Sequence, residues 1–253
     1  MTSQQTAAIV LQVRDYGEAD RLVTFLTPER GRLTGIAKHA KRSRRRFAHC
    51  LEPLSRVEFF LSPRSSGGLE FIDKGELVQS FPGLRRDLSR LGAAALLAEL
   101  AGELAAPPDA TWQMFAAVER ALERLEAGEP PDSLLPASLV HLLKLGGYGL
   151  HLDTCHACGQ EPAQGVYFSI PQGGVLCGRC FRGGKGPLMP LDPGTWKLLK
   201  QAAALPVERL SVLRFPGRQR DQSLRLIKLF VRHHLGQDLK SWTFWEKVAK
   251  ERG

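Results

Sequence analysis

Features that mark secreted, membrane-spanning and catalytic proteins are missing from this 253-residue chain. The first twenty residues contain no apolar run of signal-peptide length, and no stretch of 18 or more apolar residues occurs anywhere. We therefore expect neither export nor a membrane span, and a cytoplasmic location. The hydrolase motifs G-x-S-x-G and H-E-x-x-H are also missing, and the lysine of G-G-K-G (183–186) precedes glycine where a nucleotide-binding loop has Ser or Thr. These absences predict a protein that is not an enzyme.

Cysteine is scarce, but its placement is informative. Four of the five cysteines form the pairs C-H-A-C and C-G-R-C, eighteen residues apart: Cys155, Cys158, Cys177 and Cys180. This spacing is typical of a tetrahedral zinc site with four thiolate ligands, and a reducing compartment disfavours disulfides. Because four protein ligands leave no position for an activated water, we expect a structural Zn²⁺ and no role for His156 as a ligand.

Two further predictions concern the aromatic residues near the cysteine pairs and the one remaining cysteine. Tyr167, Phe168 and Phe181 are expected to form the apolar cap on which such a site packs, with base stacking as the less favoured interpretation. The fifth cysteine, Cys50, is expected to be a buried small hydrophobic residue.

The net charge of +9 is unevenly distributed. Basic residues outnumber acidic ones by 13 to 9 in residues 1–80 and by 16 to 8 in residues 151–253, whereas acidic residues lead by 9 to 6 in residues 81–150. Two basic regions flanking an acidic one favour a polyanionic partner such as nucleic acid, although solvated surface charge alone can give the same balance.

The first eighty residues predict a small barrel. Five short segments rich in β-branched and aromatic residues are separated by turn residues, at 6–13, 22–27, 32–37, 56–61 and 69–77. Segments this close together leave no room for crossover helices, so we expect an antiparallel barrel with the five strands of an OB-fold. Most of its phenylalanines should fill the barrel, but any that face outward would offer a stacking platform for bases. The candidates are Phe47, Phe59, Phe60 and Phe71.

A strongly basic segment follows the third predicted strand. Residues 38–46 hold six cations and no acid, which is compatible either with a solvated mobile loop or with a phosphate-binding loop on the barrel rim. With two arginines just upstream, the candidate nucleic-acid-binding residues are Arg30, Arg32, Lys38, Lys41, Arg42, Arg44, Arg45 and Arg46.

The period of the apolar residues changes after Phe81-Pro82-Gly83, and the rest of the chain is predicted to be mainly helical. Helices are expected at 84–106, from 112 to Gly128, at 131–145, at 193–204 behind an Asp192 cap, and at 218–235. We expect Leu88 and Trp112 on the inward faces of the first two. The last helix carries a basic stripe that is either a solvated face or a partner surface: Arg225, Lys228 and Arg232.

The predicted fold class is therefore α+β with several domains. An OB-fold barrel spans residues 1–80, a helical domain spans 81–152 and 187–253, and a four-cysteine zinc module at 153–186 is inserted into it.

The opening motifs resemble those of the bacterial RecO recombination-mediator family. These motifs are Y-G-E-A-D at 16–20, L-V-T-F-L-T-P-E-R-G-R at 22–32 and the basic loop with Ser43-Arg44. The closing L-G-Q-D-L-K-S-W at 235–242 and the order of barrel, helices and zinc module extend the resemblance over essentially the whole chain.

The resemblance implies a bacterial, nucleoid-associated mediator of DNA repair and homologous recombination. Such a protein binds single- and double-stranded DNA, anneals complementary strands without ATP and, with RecR in the RecFOR pathway, helps load RecA onto SSB-coated DNA. It also implies a C-terminal helical surface for the acidic, apolar tail of SSB, for which the basic stripe is the candidate. We expect a monomer when the partners are absent.

Other classes stay open at this point. A zinc-ribbon RNA-binding or translation-associated protein would share the barrel, the charge and the cysteines, and would prefer RNA to DNA. An interaction scaffold would bind no oligonucleotide, and a zinc hydrolase would lose turnover when any one cysteine is replaced.

Overall fold

A computed structural model describes residues 4–43, 45–62, 69–104, 106–163, 165–183 and 186–250 of the chain. They form two compact units, Met1–Gly128 and Glu129–Gly253. Among the described helices, none combines the length and the apolar composition that crossing a membrane requires.

The first unit begins with a closed five-stranded barrel. Its strands are β1 (Gln4–Tyr16), β2 (Asp20–Thr27), β3 (Gly31–Ala37), β4 (Arg56–Ser62) and β5 (Glu70–Gln79). They pair around the barrel in the order β1-β2-β3-β5-β4, and β4 returns to β1. All of these pairs are antiparallel except β3–β5, which closes the barrel through a short parallel pairing at Gly35 and Ile36. This is the closed barrel of an OB-fold, so the predicted barrel is confirmed.

The strands alternate between the barrel interior and the outer face, as the two-residue period of a strand requires. Phe25 and Phe59 are fully buried, and their ring centroids lie 5.0 Å apart in an edge-to-face arrangement. Burial of each ring stabilises the fold by about 1.5–3 kcal/mol.

Three α-helices follow the barrel in the described part of the first unit: α1 (Pro82–Arg86), α2 (Leu88–Glu103) and α3 (Thr111–Glu126). The single helix predicted at 84–106 is wrong at its start, because Asp87 is extended and caps α2 through bonds from the amides of Ser89 and Arg90. The prediction of an inward Leu88 is also wrong, since this first residue of α2 is 55% exposed.

The inward position expected for Trp112 is wrong as well, and this residue is 62% exposed. Thr111 takes the inward place at the start of α3, and its hydroxyl donates to the Pro28 carbonyl at 2.8 Å. Phe115 lies one helical turn further along the same face and is buried.

The described residues of the second unit form four α-helices and a small sheet. The helices are α4 (Pro131–Leu145), α5 (Pro193–Ala204), α6 (Gly217–Leu235) and α7 (Lys240–Lys250). The sheet has the order β7-β6-β8, with β6 (Val166–Ser169), β7 (Gly174–Cys177) and β8 (Leu188–Leu191) all paired antiparallel. Asp192 caps α5 as predicted, and α6 ends at Gly236, whose φ of 70° is left-handed. The sheet and α7 were not predicted.

The fold class expected from the sequence is confirmed: a barrel precedes a mainly helical region, and the four cysteines cluster between helices of that region. The division at residues 80, 152 and 186 stays a prediction.

Candidate nucleic-acid interface and metal centre

The basic segment after β3 is attached to the barrel at several points. The Arg46 guanidinium donates to the carbonyls of Lys38, at 2.7 Å, and of Asp73, at 3.4 Å. The Arg46 carbonyl accepts from the Gly75 amide at 2.8 Å, and the Lys41 amide donates to the Ala19 carbonyl at 3.0 Å. The segment is therefore joined both to β5 and to the β1–β2 turn.

Apolar residues within and just after this segment extend into the barrel core. Ala40, Phe47 and Cys50 are buried there beside Phe59. Burial raises the pKa of the Cys50 thiol to about 11, so this cysteine stays protonated and unreactive at neutral pH. The prediction that Cys50 is a buried hydrophobic residue is confirmed.

Several of the candidate DNA-binding cations already have partners inside the protein. Arg30 contacts the buried carboxylate of Glu70 at 2.5 Å, and Arg32 donates to the Gly102 carbonyl at 2.8 Å. The Lys41 ammonium lies 3.1 Å from an Asp15 carboxylate oxygen. Arg30 and Lys41 thus join parts of the barrel, as Arg46 does, and Arg32 joins the barrel to α2.

Three of the remaining candidate DNA-binding cations point to solvent instead of contacting carboxylates of the described residues. Lys38, Arg42 and Arg45 are exposed, and none of them forms an ion pair with any residue that the structure describes. Arg44 lies outside the described residues. The segment thus presents its unpaired cations to solvent from an anchored backbone, and DNA contact by any of the eight cations stays a prediction.

The outer face of β4 and β5 carries two of the four candidate aromatics. Phe47 and Phe59 are buried in the barrel, whereas Phe60 is partly exposed and Phe71 is 43% exposed. The Lys38 ammonium lies 5.1 Å from the centroid of the Phe71 ring, and the Lys74 ammonium lies 5.2 Å from that of Phe60. Both distances are typical of cation–π contacts.

The four paired cysteines of the second unit converge on one point. Their sulfur atoms all lie within 4.8 Å of one another, and Cys158 Sγ and Cys177 Sγ are 4.0 Å apart. None of the four forms a disulfide. The first pair is held by a turn in which the Gly159 amide donates to the Cys155 carbonyl at 2.8 Å, and Gly159 has a left-handed φ of 71°. The cluster could hold a metal ion.

The electrostatics of the cluster favour a bound cation. Burial alone would raise the pKa of Cys155, but hydrogen bonds from the amides of Cys177, Cys158 and Ala157 lower it to about 6. The pKa of Cys180 is raised to about 12 by its hydrogen bonds with the neighbouring thiol groups of Cys177 and Cys158. Without a cation Cys155 therefore ionises while Cys180 keeps its proton at neutral pH, and a bound cation would allow all four sulfurs to ionise by offsetting their charge.

Tyr167 and Phe181 pack against the cysteines as predicted, with ring centroids 4.2 Å apart and nearly parallel planes. The prediction is wrong for Phe168, which is fully buried and contacts Phe230 of α6 at 6.1 Å between centroids. Successive residues of β6 point to opposite faces, so Tyr167 and Phe168 cannot both face the cysteines. His156 is exposed, and its amide donates to the Val175 carbonyl.

The basic stripe of α6 borders a groove of about 1000 Å³ between α6 and α7. Trp242 and Trp245 of α7, each 3% exposed, lie among its lining residues. Lys228 does not project freely into the groove, because its ammonium lies 2.8 Å from both carboxylate oxygens of Glu246. Arg225 and Arg232 are exposed and form no ion pair within the described residues.

Comparison with known proteins matches two domains of one family to nearly the whole chain. The family described as "Recombination protein O N terminal" matches residues 1–81, and "Recombination protein O C terminal" matches residues 85–243. The chain belongs to the RecO family. Proteins named "DNA repair protein RecO" are similar over nearly their full length: 35% identity in Anaeromyxobacter dehalogenans (98% of both chains) and 33% in Geobacter metallireducens (99% of this chain, 100% of the relative). In Syntrophus aciditrophicus the identity is 30% over 98% of this chain and 97% of the relative.

Membership of the RecO family places the chain among proteins of DNA repair and recombination. Sequence reasoning did not assign two features of this RecO-type chain. The outward position of Phe60 could have been found from R-V-E-F-F-L, since adjacent strand residues face opposite sides. Helix α7 could have been found from the three-residue spacing of Trp242, Trp245 and Val248.

Proposed function

We propose that this protein binds single- and double-stranded DNA through the basic segment of its barrel and anneals complementary strands without ATP. With RecR, it would then help load RecA onto SSB-coated DNA. The observation that carries the DNA-binding part is the anchored segment whose exposed cations, Lys38, Arg42 and Arg45, form no ion pair within the described residues. The roles of RecR and RecA rest on membership of the RecO family.

Anchoring matters for this function because it lowers the cost of binding. A mobile loop loses conformational entropy when it takes hold of a phosphate backbone, whereas a segment already bonded to β5 and to the β1–β2 turn loses less. Cations held in this way neutralise phosphates on two strands. Neutralised strands repel each other less and can pair, which supports annealing without a nucleotide cofactor.

The first experiment is fluorescence anisotropy of a labelled single strand titrated with the protein at several salt concentrations, without ATP. Neutralising roughly four to six phosphates gives a slope of log K against log salt of about −3 to −4 on single strands. Binding with such a slope would support the proposal and lead to annealing assays on SSB-coated strands. Absence of binding at low salt would remove the DNA-binding role.

A zinc-ribbon RNA-binding protein is the alternative, since it would have the same barrel, charge and cysteines. The same titration with RNA of equal sequence separates the two. Membership of a DNA repair family favours equal or tighter binding to DNA, and a clear preference for RNA would favour the alternative.

We also propose that the α6–α7 groove receives the acidic, apolar C-terminal tail of SSB. Arg225 and Arg232 are seven residues apart and so lie about 10 Å from each other on one face of α6. The half-buried side chains of Leu224 and Leu229 supply apolar surface beside them, over the buried rings of Trp242 and Trp245. Apolar lining with exposed arginines at the rim suits a peptide that is both apolar and acidic.

Binding of a synthetic tail peptide tests this second proposal. Replacing Arg225 and Arg232 with glutamate should abolish peptide binding, while the same change at Arg86 and Arg120 of the first unit should not. Equal binding by both variants would exclude the groove.

The metal is proposed to be a structural Zn²⁺ held by Cys155, Cys158, Cys177 and Cys180. Zn–S bonds of about 2.3 Å in a tetrahedron place sulfurs roughly 3.8 Å apart, and the 4.0 Å between Cys158 and Cys177 is close to this value. When bound, Zn²⁺ supplies cross-linking of the two cysteine pairs. Metal analysis of purified protein should find one zinc per chain, and its absence would contradict the assignment.

A further inference from the structure

The outer face of β4 and β5 exposes aromatic surface that the barrel does not need for its own stability. Phe59 and Leu61 point into the core, while Phe60 between them points outward. Phe71 at the start of β5 is 43% exposed, between the buried residues Glu70 and Ile72. A cation–π contact at an exposed site returns only part of the free energy that burial of the ring would bring.

Each outward ring is accompanied by a lysine. Lys38 lies over Phe71 and Lys74 over Phe60, with ammonium-to-centroid distances of 5.1 and 5.2 Å. A nucleotide presents a flat base next to a negatively charged phosphate. At Phe71 the ring and the Lys38 ammonium, which forms no ion pair within the described residues, therefore match both parts of one nucleotide. The Lys74 ammonium beside Phe60 is already paired with Glu76, so Phe60 contributes its ring alone.

The two rings are spaced for neighbouring unstacked bases. On the antiparallel ladder Lys74 lies opposite Phe60 and Phe71 lies opposite Ser62, with a register shift between Phe60 and Leu61. The rings therefore lie on adjacent strands, separated by two residues along β4 and three along β5. Strand geometry places their Cα atoms roughly 8 Å from each other, about twice the 3.4 Å step of stacked bases. A single DNA strand that contacts both rings must therefore be extended, with its bases unstacked.

Charged side chains on the same face favour one position for the phosphate backbone of a bound DNA strand. Glu58 and Glu76 lie opposite each other two residues from Phe60 along β4, on the side away from Phe71, and Glu76 contacts Lys74. Phosphates are disfavoured there. Phe71, by contrast, pairs with Ile36 of β3, two residues before Lys38 and the basic segment.

From this arrangement we infer that Phe71 and Phe60 form a base-stacking platform that selects single-stranded over double-stranded DNA, with the phosphate backbone lying on the side of Lys38. The inference rests on the proposed DNA binding and adds the part of the DNA that the β4–β5 face recognises. Bases in a duplex are already stacked and paired, so a duplex reaches the cations but not the rings.

The test uses full-length protein and three 20-nucleotide ligands: oligo-dT, an abasic strand with the same phosphates, and a duplex of the same length. Wild-type protein should bind oligo-dT more tightly than the abasic strand. Alanine at Phe71 should weaken oligo-dT binding roughly 5- to 100-fold, and the double change with Phe60→Ala should lower it to the abasic level. Abasic and duplex affinities, and the salt slope, should stay the same.

Matched variants separate stacking from loss of apolar surface or of folding. Phe71→Tyr keeps an aromatic ring and should retain affinity, whereas Phe71→Leu keeps apolar volume and should lose it. Val78→Ala removes another exposed apolar side chain from β5, where Val78 is 51% exposed, and should change nothing. If the double variant unfolds, the Tyr and Leu variants decide alone.

Two results would overturn the inference while leaving the proposed DNA binding intact. One is equal binding of oligo-dT and abasic strands by the wild type, and the other is an equal loss on all three ligands in the alanine variants. If the wild type binds none of the ligands at low salt, the proposed function fails together with the inference.

Discussion

Replacing Arg42 and Arg45 with glutamine should weaken DNA binding by an amount that depends on salt. Each cation–phosphate contact on a single strand contributes about 0.7 to the slope of log K against log salt, so losing two contacts reduces that slope by about 1.4. The affinity should then fall about 25-fold at 0.1 M salt, and the two proteins should converge near 1 M.

The same substitutions should leave the fold unchanged. Neither guanidinium forms an ion pair within the described residues, and both residues are exposed, so the stability change should stay within about 0.5 kcal/mol. Arg46→Gln offers the contrast, because its guanidinium bonds to two carbonyls and its loss should lower the melting temperature.

Anisotropy titrations of a labelled single strand between about 0.05 and 0.5 M salt, over which log K falls linearly with log salt, measure the effect. The matched control replaces Arg86 and Arg120, exposed residues of α1 and α3, with glutamine and removes the same net charge. A double variant at Arg42 and Arg45 that keeps the wild-type slope, or a control that loses as much, would refute the role of the basic segment.

Three further predictions concern stability. Gly75→Ala should lower the free energy of unfolding in urea by about 1–3 kcal/mol, because a Cβ there would lie 2.6 Å from the Cys50 sulfur and 2.9 Å from the Phe59 ring. Adding Cys50→Ala should recover part of this loss. An unchanged urea midpoint in the single variant would contradict the close packing. Asp87→Ala should cost about 1 kcal/mol at pH 7 through loss of the α2 cap. Hydrogen bonding to Ser89 lowers the pKa of Asp87 in the folded state. The cap therefore contributes its full stability above the unfolded pKa of about 3.9, and this contribution is lost as pH falls through the folded pKa. A stability difference between wild type and Asp87→Ala that grows in acid would contradict the prediction. Cys155→Ser should reduce both the bound zinc and the melting temperature, and a variant with both unchanged would exclude a structural metal at the cluster.

The elements that sequence predicted well are those that local chemistry determines. Asp192 followed by proline marks the start of α5, and Gly236 marks the end of α6, because capping depends on residues within one turn. The break before α2 was missed, although Asp87 is itself a capping residue, because the apolar spacing of the leucines continues across it. The inward face expected for Trp112 failed because Thr111 bonds to the distant Pro28.

The cysteine spacing and the five strand segments were sufficient, without coordinates, to predict the cluster of four thiols and the OB-fold barrel. Both follow from short-range patterns, since two residues between cysteines and a two-residue strand period are local constraints. Only the tertiary structure decided which cations of the basic segment are unpaired and which aromatics face outward. The partners that settle these questions, such as Asp15 for Lys41 and Glu70 for Arg30, are 26 and 40 residues away in sequence, and folding alone brings them together.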